Sequence, residues 1–243
     1  MYHLSIETLK IFNDDKIIVD LNSKIGQSIL IDSSLALVGQ SGSGKSLSLK
    51  TILNLLPTNL QSEFLYKSNF DLNFQNIAFI PQNPFTSLSP MTKIGKQFFD
   101  TNNKVLSKEK TIELLKMVDL DESFYSRFPL ELSGGQLQRV VISIALSLDP
   151  KLILLDEPTT ALDKNTKEMI LDLLKKLQEK LQFIYIFISH DIDSVESICK
   201  DIAIMNNGCI VEYGDTKSIL KNPQNDYTKL LMKSNFNNRE YRV

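Results

Sequence analysis

The segment LALVGQSGSGKS, from Leu35 to Ser46, decides the fold of this chain. It begins with an apolar run typical of a buried strand and continues into a turn that satisfies the pattern GxxxxGK[ST]. The next segment, SLSLKTILNLL, places leucine and isoleucine at helical spacing and ends before Pro57. Strand, glycine-rich turn and helix in this order predict a phosphate-binding loop in an α/β fold.

In such a loop the glycines let successive backbone N–H groups point toward phosphate, and the helix N-terminus adds positive potential. We predict that Lys45 reaches the β and γ phosphates of a nucleotide and that the Ser46 hydroxyl faces Mg²⁺. A flexible glycine-serine turn is the plain alternative. The remaining predicted nucleotide contacts come from the loop and the start of the helix, at Gly39, Ser41, Gly42, Gly44 and Leu47.

The composition indicates a folded protein that does not bind nucleic acid. The 243 residues are 42% hydrophobic, which is enough for a substantial core, and 27 Lys plus Arg oppose 29 Asp plus Glu. Because these charges nearly cancel, no strong basic field attracts nucleic acid. The cysteines, Cys199 and Cys209, form neither a CxxC pair nor a disulfide framework, so a reducing cytosol is expected.

The apolar runs of the sequence are too short to cross a membrane. The N-terminal stretch MYHLSIETLK has no signal-peptide apolar region, and no run approaches the ~20 residues that a membrane-spanning helix needs. Any membrane role is therefore expected to be peripheral.

Later segments predict further strands and helices. The apolar runs LILL, FIYIFI and IAIM suit strands buried on both faces, and a stripe of leucine and isoleucine predicts a helix from about Asn165 to Leu181. Leu106 to Leu120 also has helical spacing, with Ser107 as its N-cap, and is placed in a helical insertion. Strands that alternate with helices favour a parallel α/β core.

Two consecutive acids follow the run LILL, in the segment KLILLDEP. They lie at the carboxyl edge of a predicted strand, where open α/β sheets bind ligands. We predict that Asp156 holds Mg²⁺, usually through water, and that Glu157 polarises the water that attacks the γ-phosphate. The alternative is an ordinary acidic strand end before the Pro158 turn.

The segment LSGGQLQRV, from Leu132 to Val140, places two glycines where a helix is predicted to start, although glycine inside a helix costs roughly 1 kcal/mol relative to alanine. His190 follows the run FIYIFIS. Phosphate loop, LSGGQ, acidic strand end and histidine together resemble the ATP-binding subunit of an ABC transporter, over about residues 2 to 232. The resemblance implies ATP and Mg²⁺ as ligands. It also implies a P-loop NTPase core with a small antiparallel β region and a helical subdomain of about residues 84 to 138.

The same resemblance assigns roles to residues of the LSGGQ segment. Ser133, Gly134 and Gly135 are implied to bind the γ-phosphate of ATP held by a second ATPase subunit. Asp163, in TTALD, looks like an aspartate that faces the interface between the two subunits. The alternative for the two glycines is a simple helix-start turn.

Three other residues gain roles from the resemblance. Gln82, in FIPQNP, looks like a glutamine that contacts Mg²⁺ and water and senses the membrane subunit, and His190 like a histidine that contacts the γ-phosphate. Phe12 lies near the position of an aromatic residue that stacks on adenine. Core packing explains Phe12 equally well.

Two segments, PQNPFTSLSPMTKIGKQ and CIVEYGDTKSILKNPQNDYTKLL, look like the peptide and nickel importer group. That likeness implies a peripheral subunit on the cytoplasmic face of the inner membrane. Its implied partners are two permease subunits, a second and different ATPase subunit, and indirectly an extracytoplasmic substrate-binding protein.

The chain departs from this group in three ways. The interval between Lys45 and Gln82 is short, so the antiparallel region is expected to be trimmed. Asn225 and Asp226 replace the usual His-Pro, and the cysteine-bearing C-terminal extension of many peptide-transport ATPases is absent. The last departure favours nickel or a nickel chelate as cargo over the alternative, a dipeptide or oligopeptide.

The sequence predicts a single domain over residues 1–243, with a polar tail from about residue 233. A more remote alternative is a soluble ABC ATPase that acts on DNA or ribosomes, but the sequence has no long coiled-coil insertion or zinc-ligand spacing to support it. A regulatory nucleotide binder that does not hydrolyse ATP is opposed by the intact Lys45, Glu157 and His190.

Overall fold

The computed structural model describes residues 1–101 and 106–240. Within them the strands are, in chain order, β1 (Leu4–Asn13), β2 (Lys16–Asp20), β3 (Ile29–Ile31), β4 (Ser34–Val38), β5 (Gln61–Ser68), β6 (Ile77–Ile80), β7 (Leu152–Asp156), β8 (Ile184–Ile188), β9 (Asp201–Asn206) and β10 (Cys209–Asp215). The helices are α1 (Lys45–Ile52), α2 (Ile94–Thr101), α3 (Lys108–Met117), α4 (Gly134–Leu146), α5 (Lys164–Leu181), α6 (Ile192–Ile198), α7 (Thr216–Lys221) and α8 (Asp226–Glu240). Short 3₁₀ helices occupy Pro84–Thr86, Glu122–Ser126 and Pro129–Glu131.

The described residues divide into a first unit, residues 1–72 with 184–243, and a second unit, residues 73–183. The single domain over residues 1–243 remains a prediction. Helix α8 runs through Glu240, so residues 233–240 of the predicted polar tail are helical, and residues 241–243 lie outside the described residues.

The first unit contains an antiparallel sheet in which β1 pairs with β2, β3 and β5. Leu4 and Ile6 are buried at the strand period of two, but the next buried residue is Leu9, three positions on. The register with β5 shifts between Ile6 and Thr8, and such a bulge changes the phase of the buried face. The bulge therefore keeps Leu9 and Ile11 on the same buried side as Leu4 and Ile6.

The first unit also holds the strands that carry the phosphate loop. Strand β4 pairs in parallel with β8 and β9, and β10 pairs antiparallel with β9. All five residues of β4 and of β8 are buried, as expected for parallel strands covered on both faces. The strands predicted from LALV, FIYIFI and IAIM are thus confirmed.

The second unit combines the parallel pair β6 and β7 with the helices α2 to α5. The Ser107 Oγ accepts a hydrogen bond from the Lys110 N–H at 3.2 Å, which confirms the predicted cap of α3. Helix α5 buries Ile170, Leu173, Leu174 and Leu177 of the stripe from which it was predicted, but Leu181, the last residue of that stripe and of the helix, is 39% exposed. Helix α4 continues to Leu146, beyond the predicted end of the helical subdomain at residue 138.

Candidate nucleotide-binding site

The turn between β4 and α1 has a backbone that only glycines accommodate at several positions. Gly42 and Gly44 have φ of 79° and 104°, in the left-handed region that side chains disfavour. Gly39 has a different restriction, because a Cβ there would lie 2.1 Å from the backbone oxygen of Met205 in β9. The glycines of the motif thus serve both the turn and its close packing on the sheet of the first unit.

The Lys45 side chain folds back over its own loop and is 7% exposed. Its Nζ donates hydrogen bonds to the backbone oxygens of Gly39 and Gln40, both at 2.8 Å, and lies 3.4 Å from the Ser43 Oγ. These bonds fix the Lys45 ammonium over the phosphate loop, and a lysine ammonium is positively charged. That charge suits the phosphates of a nucleotide.

The N-terminus of α1 has no side-chain cap: Gly44 stands at the N-cap, and the first turn carries no acidic residue. In contrast, Ser107, Ser133 and Asp163 each cap the helix that follows them with a side-chain oxygen. Uncapped N–H groups at a helix start bind anions well. The α1 terminus therefore fits phosphate, and the exposed Ser41 and Ser46 and the half-buried Leu47 lie in or beside it.

Asp156 is the last residue of β7, and Glu157 follows it with φ of 47°. Among the described residues, positive φ outside glycine otherwise occurs at five Asp or Asn residues and at Gln182. Asp and Asn tolerate this conformation and Glu does so poorly, so the strain at Glu157 marks a candidate functional position. The Oε2 of Glu157 accepts hydrogen bonds from the Thr160 Oγ1 at 3.0 Å and the Gln82 Nε2 at 3.4 Å.

The second unit therefore brings Gln82 and Glu157 together, as their predicted roles require. Gln82 and Asp156 of the second unit offer amide and carboxylate oxygens, and Ser46 of the first unit offers a hydroxyl oxygen; all are ligand types that Mg²⁺ accepts. The described residues contain no group of three or more His, Cys, Asp or Glu that could hold a metal by itself. Oxygen donors of these kinds fit Mg²⁺ that also binds phosphate oxygens and water.

The LSGGQ segment forms a capping box at the start of α4. The Ser133 Oγ accepts from the Gln136 N–H at 3.3 Å, and the Gln136 Oε1 accepts from the Ser133 N–H at 3.0 Å. A Cβ at Gly134 would lie 3.6 Å from Leu162, an ordinary contact. A Cβ at Gly135 would lie only 2.4 Å from the methyl carbon of Thr166.

Thr166 also connects this segment to Asp163. The Asp163 carboxylate accepts from the Thr166 Oγ1 at 2.6 Å and from the Thr166 N–H at 3.0 Å, and these bonds lower the pKa of Asp163. Sequence reasoning missed Thr166, although its place three residues after a capping aspartate could have indicated it. Gly135 is thus needed for close packing on α5, whereas a Cβ at Gly134 would make only an ordinary contact with the residues that the structure describes.

The two remaining predicted residues lie in the first unit. His190 is exposed in the turn between β8 and α6. Phe12 is half-buried near the end of β1, opposite Ile17 of β2 and Gln61 of β5. Phe12 is not a core residue, so stacking on adenine stays a prediction for its exposed part.

This set of features matches a known family. The sequence profile of the ABC transporter family covers residues 24–160, which include the phosphate loop, the LSGGQ segment and the Asp156–Glu157 pair. The chain belongs to the ABC transporter family. The chain contains the ATP-binding domain of that family, as the motifs predicted.

Two relatives of this ABC ATP-binding domain come from Haemophilus influenzae. The dipeptide transport ATP-binding protein DppF is 38% identical over 82% of this chain and 65% of its own length. The dipeptide transport ATP-binding protein DppD is 36% identical over 95% of this chain and 77% of its own length. The chain thus spans just under two thirds of DppF. These relatives do not support the nickel cargo that the sequence favoured. Their names support the alternative, peptide cargo.

A solved structure confirms the fold of the ABC ATP-binding domain. It is described as a dimeric, post-hydrolysis state of the ATP-binding cassette MJ0796 bound to ADP and Pi. The two chains superpose with a TM-score of 0.67 at 29% identity, over 88% of this chain and 98% of the other. In the described part of this chain, no helix has the length and apolar character needed to span a bilayer.

Proposed function

We propose that the chain is the ATP-binding and ATP-hydrolysing subunit of an importer for dipeptides or oligopeptides. The observation that carries ATP binding is the uncapped start of α1 behind a glycine turn, with the Lys45 ammonium held inside that turn. A helix N-terminus without a side-chain cap or an acidic residue, beside a lysine ammonium, is suited to the phosphates of a nucleotide.

Each site residue has a proposed role in hydrolysis. Lys45 binds the β and γ phosphates, and His190 contacts the γ-phosphate. Glu157 accepts a proton from the attacking water, while Gln82, which contacts the Glu157 carboxylate at 3.4 Å, orients that water. Ser46, Asp156 and Gln82 would hold Mg²⁺, which supplies charge neutralisation on the phosphate oxygens when bound.

The LSGGQ segment is proposed to act on ATP bound by a second ATPase subunit. Ser133 is exposed at the N-cap of α4, and a Cβ at Gly134 would make only an ordinary contact. Asp163 is also exposed, and its lowered pKa keeps it charged at the proposed subunit interface. The dimeric description of the MJ0796 structure supports this arrangement.

The remaining proposed partners follow from the importer assignment. They are two permease subunits, a second and different ATPase subunit and, indirectly, an extracytoplasmic substrate-binding protein. The chain would then be a peripheral subunit on the cytoplasmic face of the inner membrane. Peptide cargo is supported by the two Haemophilus influenzae relatives, both of which are named dipeptide transport ATP-binding proteins.

Deletion of the gene tests the cargo. We expect uptake of a radiolabelled dipeptide to fall to background, and uptake of radiolabelled nickel to stay normal. The wild-type gene should restore dipeptide uptake, and a Lys45→Ala gene should not, because the phosphates lose their cation. Loss of nickel uptake with normal dipeptide uptake would transfer the assignment to nickel.

Phe85 is a candidate contact to a permease. It lies in the 3₁₀ helix after Gln82 with 53% of its surface exposed, and its N–H donates to the Asn83 Oδ1 at 3.0 Å. Phe85→Asp should lower the amount of co-expressed permease that is retained in a pull-down by about tenfold, since a buried aromatic anchor is commonly worth more than 1.4 kcal/mol. ATP binding should not change.

Phe74→Asp is the matched control, because Phe74 is 67% exposed in the same unit and has no proposed partner. It should retain the permease like the wild type. Equal retention by the Phe85 and Phe74 variants would remove Phe85 from the docking surface.

A further inference from the structure

The C-terminal segment contacts the phosphate loop directly within the first unit. The N–H of Gln40 donates a hydrogen bond to the Tyr227 Oη at 3.1 Å, between residues 187 positions apart in the sequence. Gln40 is the second residue of the loop, and Tyr227 lies in the first turn of α8. The tyrosine is half-buried, whereas Gln40 and the bond itself are exposed to water.

The Gln40 N–H shares a planar peptide group with the carbonyl of Gly39. That carbonyl accepts a hydrogen bond from the Lys45 Nζ at 2.8 Å. Tyr227 and Lys45 therefore hold the two opposite edges of one peptide group. A rotation of this group would break both bonds, so the Tyr227 hydroxyl helps to fix the carbonyl that positions the ammonium.

Tyr227 is itself held by a network that begins on β10. The Glu212 carboxylate accepts hydrogen bonds from the N–H of Gln224 at 2.7 Å and of Asn225 at 3.2 Å. The Asn225 Oδ1 in turn accepts from the Tyr227 N–H at 2.9 Å. Asn225, at the position where the importer group has histidine, thus fixes the start of α8 and with it the direction of the tyrosine.

We propose that Tyr227 is a positioning residue for the phosphate loop, through which the C-terminal segment sets the affinity for ATP. The proposal rests on ATP binding by this chain, and it adds a residue that lies outside the loop, the acidic strand end and the LSGGQ segment. This role needs no contact between Tyr227 and the nucleotide. The tyrosine acts on the Gly39–Gln40 peptide group and, through it, on Lys45.

The test compares Tyr227→Phe with the wild type in the full chain, using a fluorescent methylanthraniloyl derivative of ATP with Mg²⁺. Loss of one hydrogen bond should weaken binding about two- to tenfold. Exchange of the Gln40 amide hydrogen, measured without nucleotide, should become faster, because that N–H loses its partner.

Tyr213→Phe is the matched control. The Tyr213 Oη accepts from the Leu30 N–H and donates to the Leu30 oxygen, both at 3.0 Å, so this variant also loses a hydroxyl that is bonded to backbone in the first unit. It should bind the nucleotide like the wild type and leave Gln40 exchange unchanged.

A second variant tests the route through Glu212. Glu212→Gln should weaken nucleotide binding less than Tyr227→Phe, and the double variant should bind no more weakly than Tyr227→Phe alone. An additive loss in the double variant would overturn this route.

The outcomes separate this inference from the proposed function. If the wild type binds the ATP derivative and Tyr227→Phe binds it equally well, the positioning role is wrong and ATP binding stands. If the wild type does not bind it at millimolar concentration, the proposed function fails. A loss of affinity that is equal in the Tyr227 and Tyr213 variants would mean general destabilisation and would also overturn the positioning role.

Discussion

Glu157→Gln should slow ATP turnover in the assembled transporter by about 10²–10⁴-fold and leave ATP binding intact. Glutamine has the shape of glutamate but cannot accept a proton from the attacking water. Its amide oxygen can still accept from the Thr160 Oγ1 and the Gln82 Nε2, which lie 3.0 Å and 3.4 Å from the Glu157 Oε2. The side chain should therefore keep its place while the chemistry is lost.

The backbone should also tolerate this change. Glu157 has φ of 47°, and Gln182 of the same chain adopts φ of 59°, so a glutamine accommodates this conformation. The measurements are steady-state phosphate release and the affinity for the fluorescent ATP derivative. Glu179→Gln is the control, because Glu179 is exposed near the C-terminus of α5, and this variant should release phosphate at the wild-type rate. Wild-type turnover by the Glu157 variant would remove this carboxylate from catalysis.

The fold was predictable where one physical signal dominates a segment. Strands β4, β7, β8 and β9 contain continuous apolar runs. Such runs are typical of parallel strands that are buried on both faces, so the sequence alone indicates them. Helix α5 was predictable because its apolar stripe has the helical period. The bulge in β1 was not, because it depends on the register with β5, and the sequence of one strand does not contain that register.

The site was predictable to the extent that motifs carry it. Lys45 and Glu157 were predicted from short motifs and Gln82 from the family resemblance; the structure places the Gln82 amide 3.4 Å from the Glu157 carboxylate, and the roles of the three residues stay predictions. The strain at Glu157 could not be inferred, because backbone angles depend on the flanking structure. Tyr227 and the contact of Thr166 with Gly135 were missed because each depends on a distant backbone segment that folding brings against the side chain.

Gly134 is a better position than Gly135 for testing whether LSGGQ acts on ATP held by a second subunit, because Thr166 lies close to Gly135. Any side chain at Gly135 would collide with the Thr166 methyl group at 2.4 Å, so a variant there would disturb packing in its own unit. Gly134 is the first residue of α4, and a Cβ there would have an ordinary contact with Leu162. An aspartate at a first helical position also stabilises the helix, because it complements the helix dipole. Gly134→Asp should therefore fold normally.

Gly134→Asp nevertheless places a negative charge where the γ-phosphate held by another subunit is proposed to bind. We expect ATP hydrolysis at that composite site to fall by at least about 10²-fold, because a stabilising dipole is replaced by repulsion of the developing charge. The isolated chain should still bind the fluorescent ATP derivative through its own Lys45 loop with wild-type affinity. Gly134→Ser is the matched control, since it adds a small side chain without charge, and it should retain most of the hydrolysis. If the isolated Gly134→Asp chain instead lost nucleotide binding, LSGGQ would act on the ATP of its own chain, and the proposed dimeric site would be wrong.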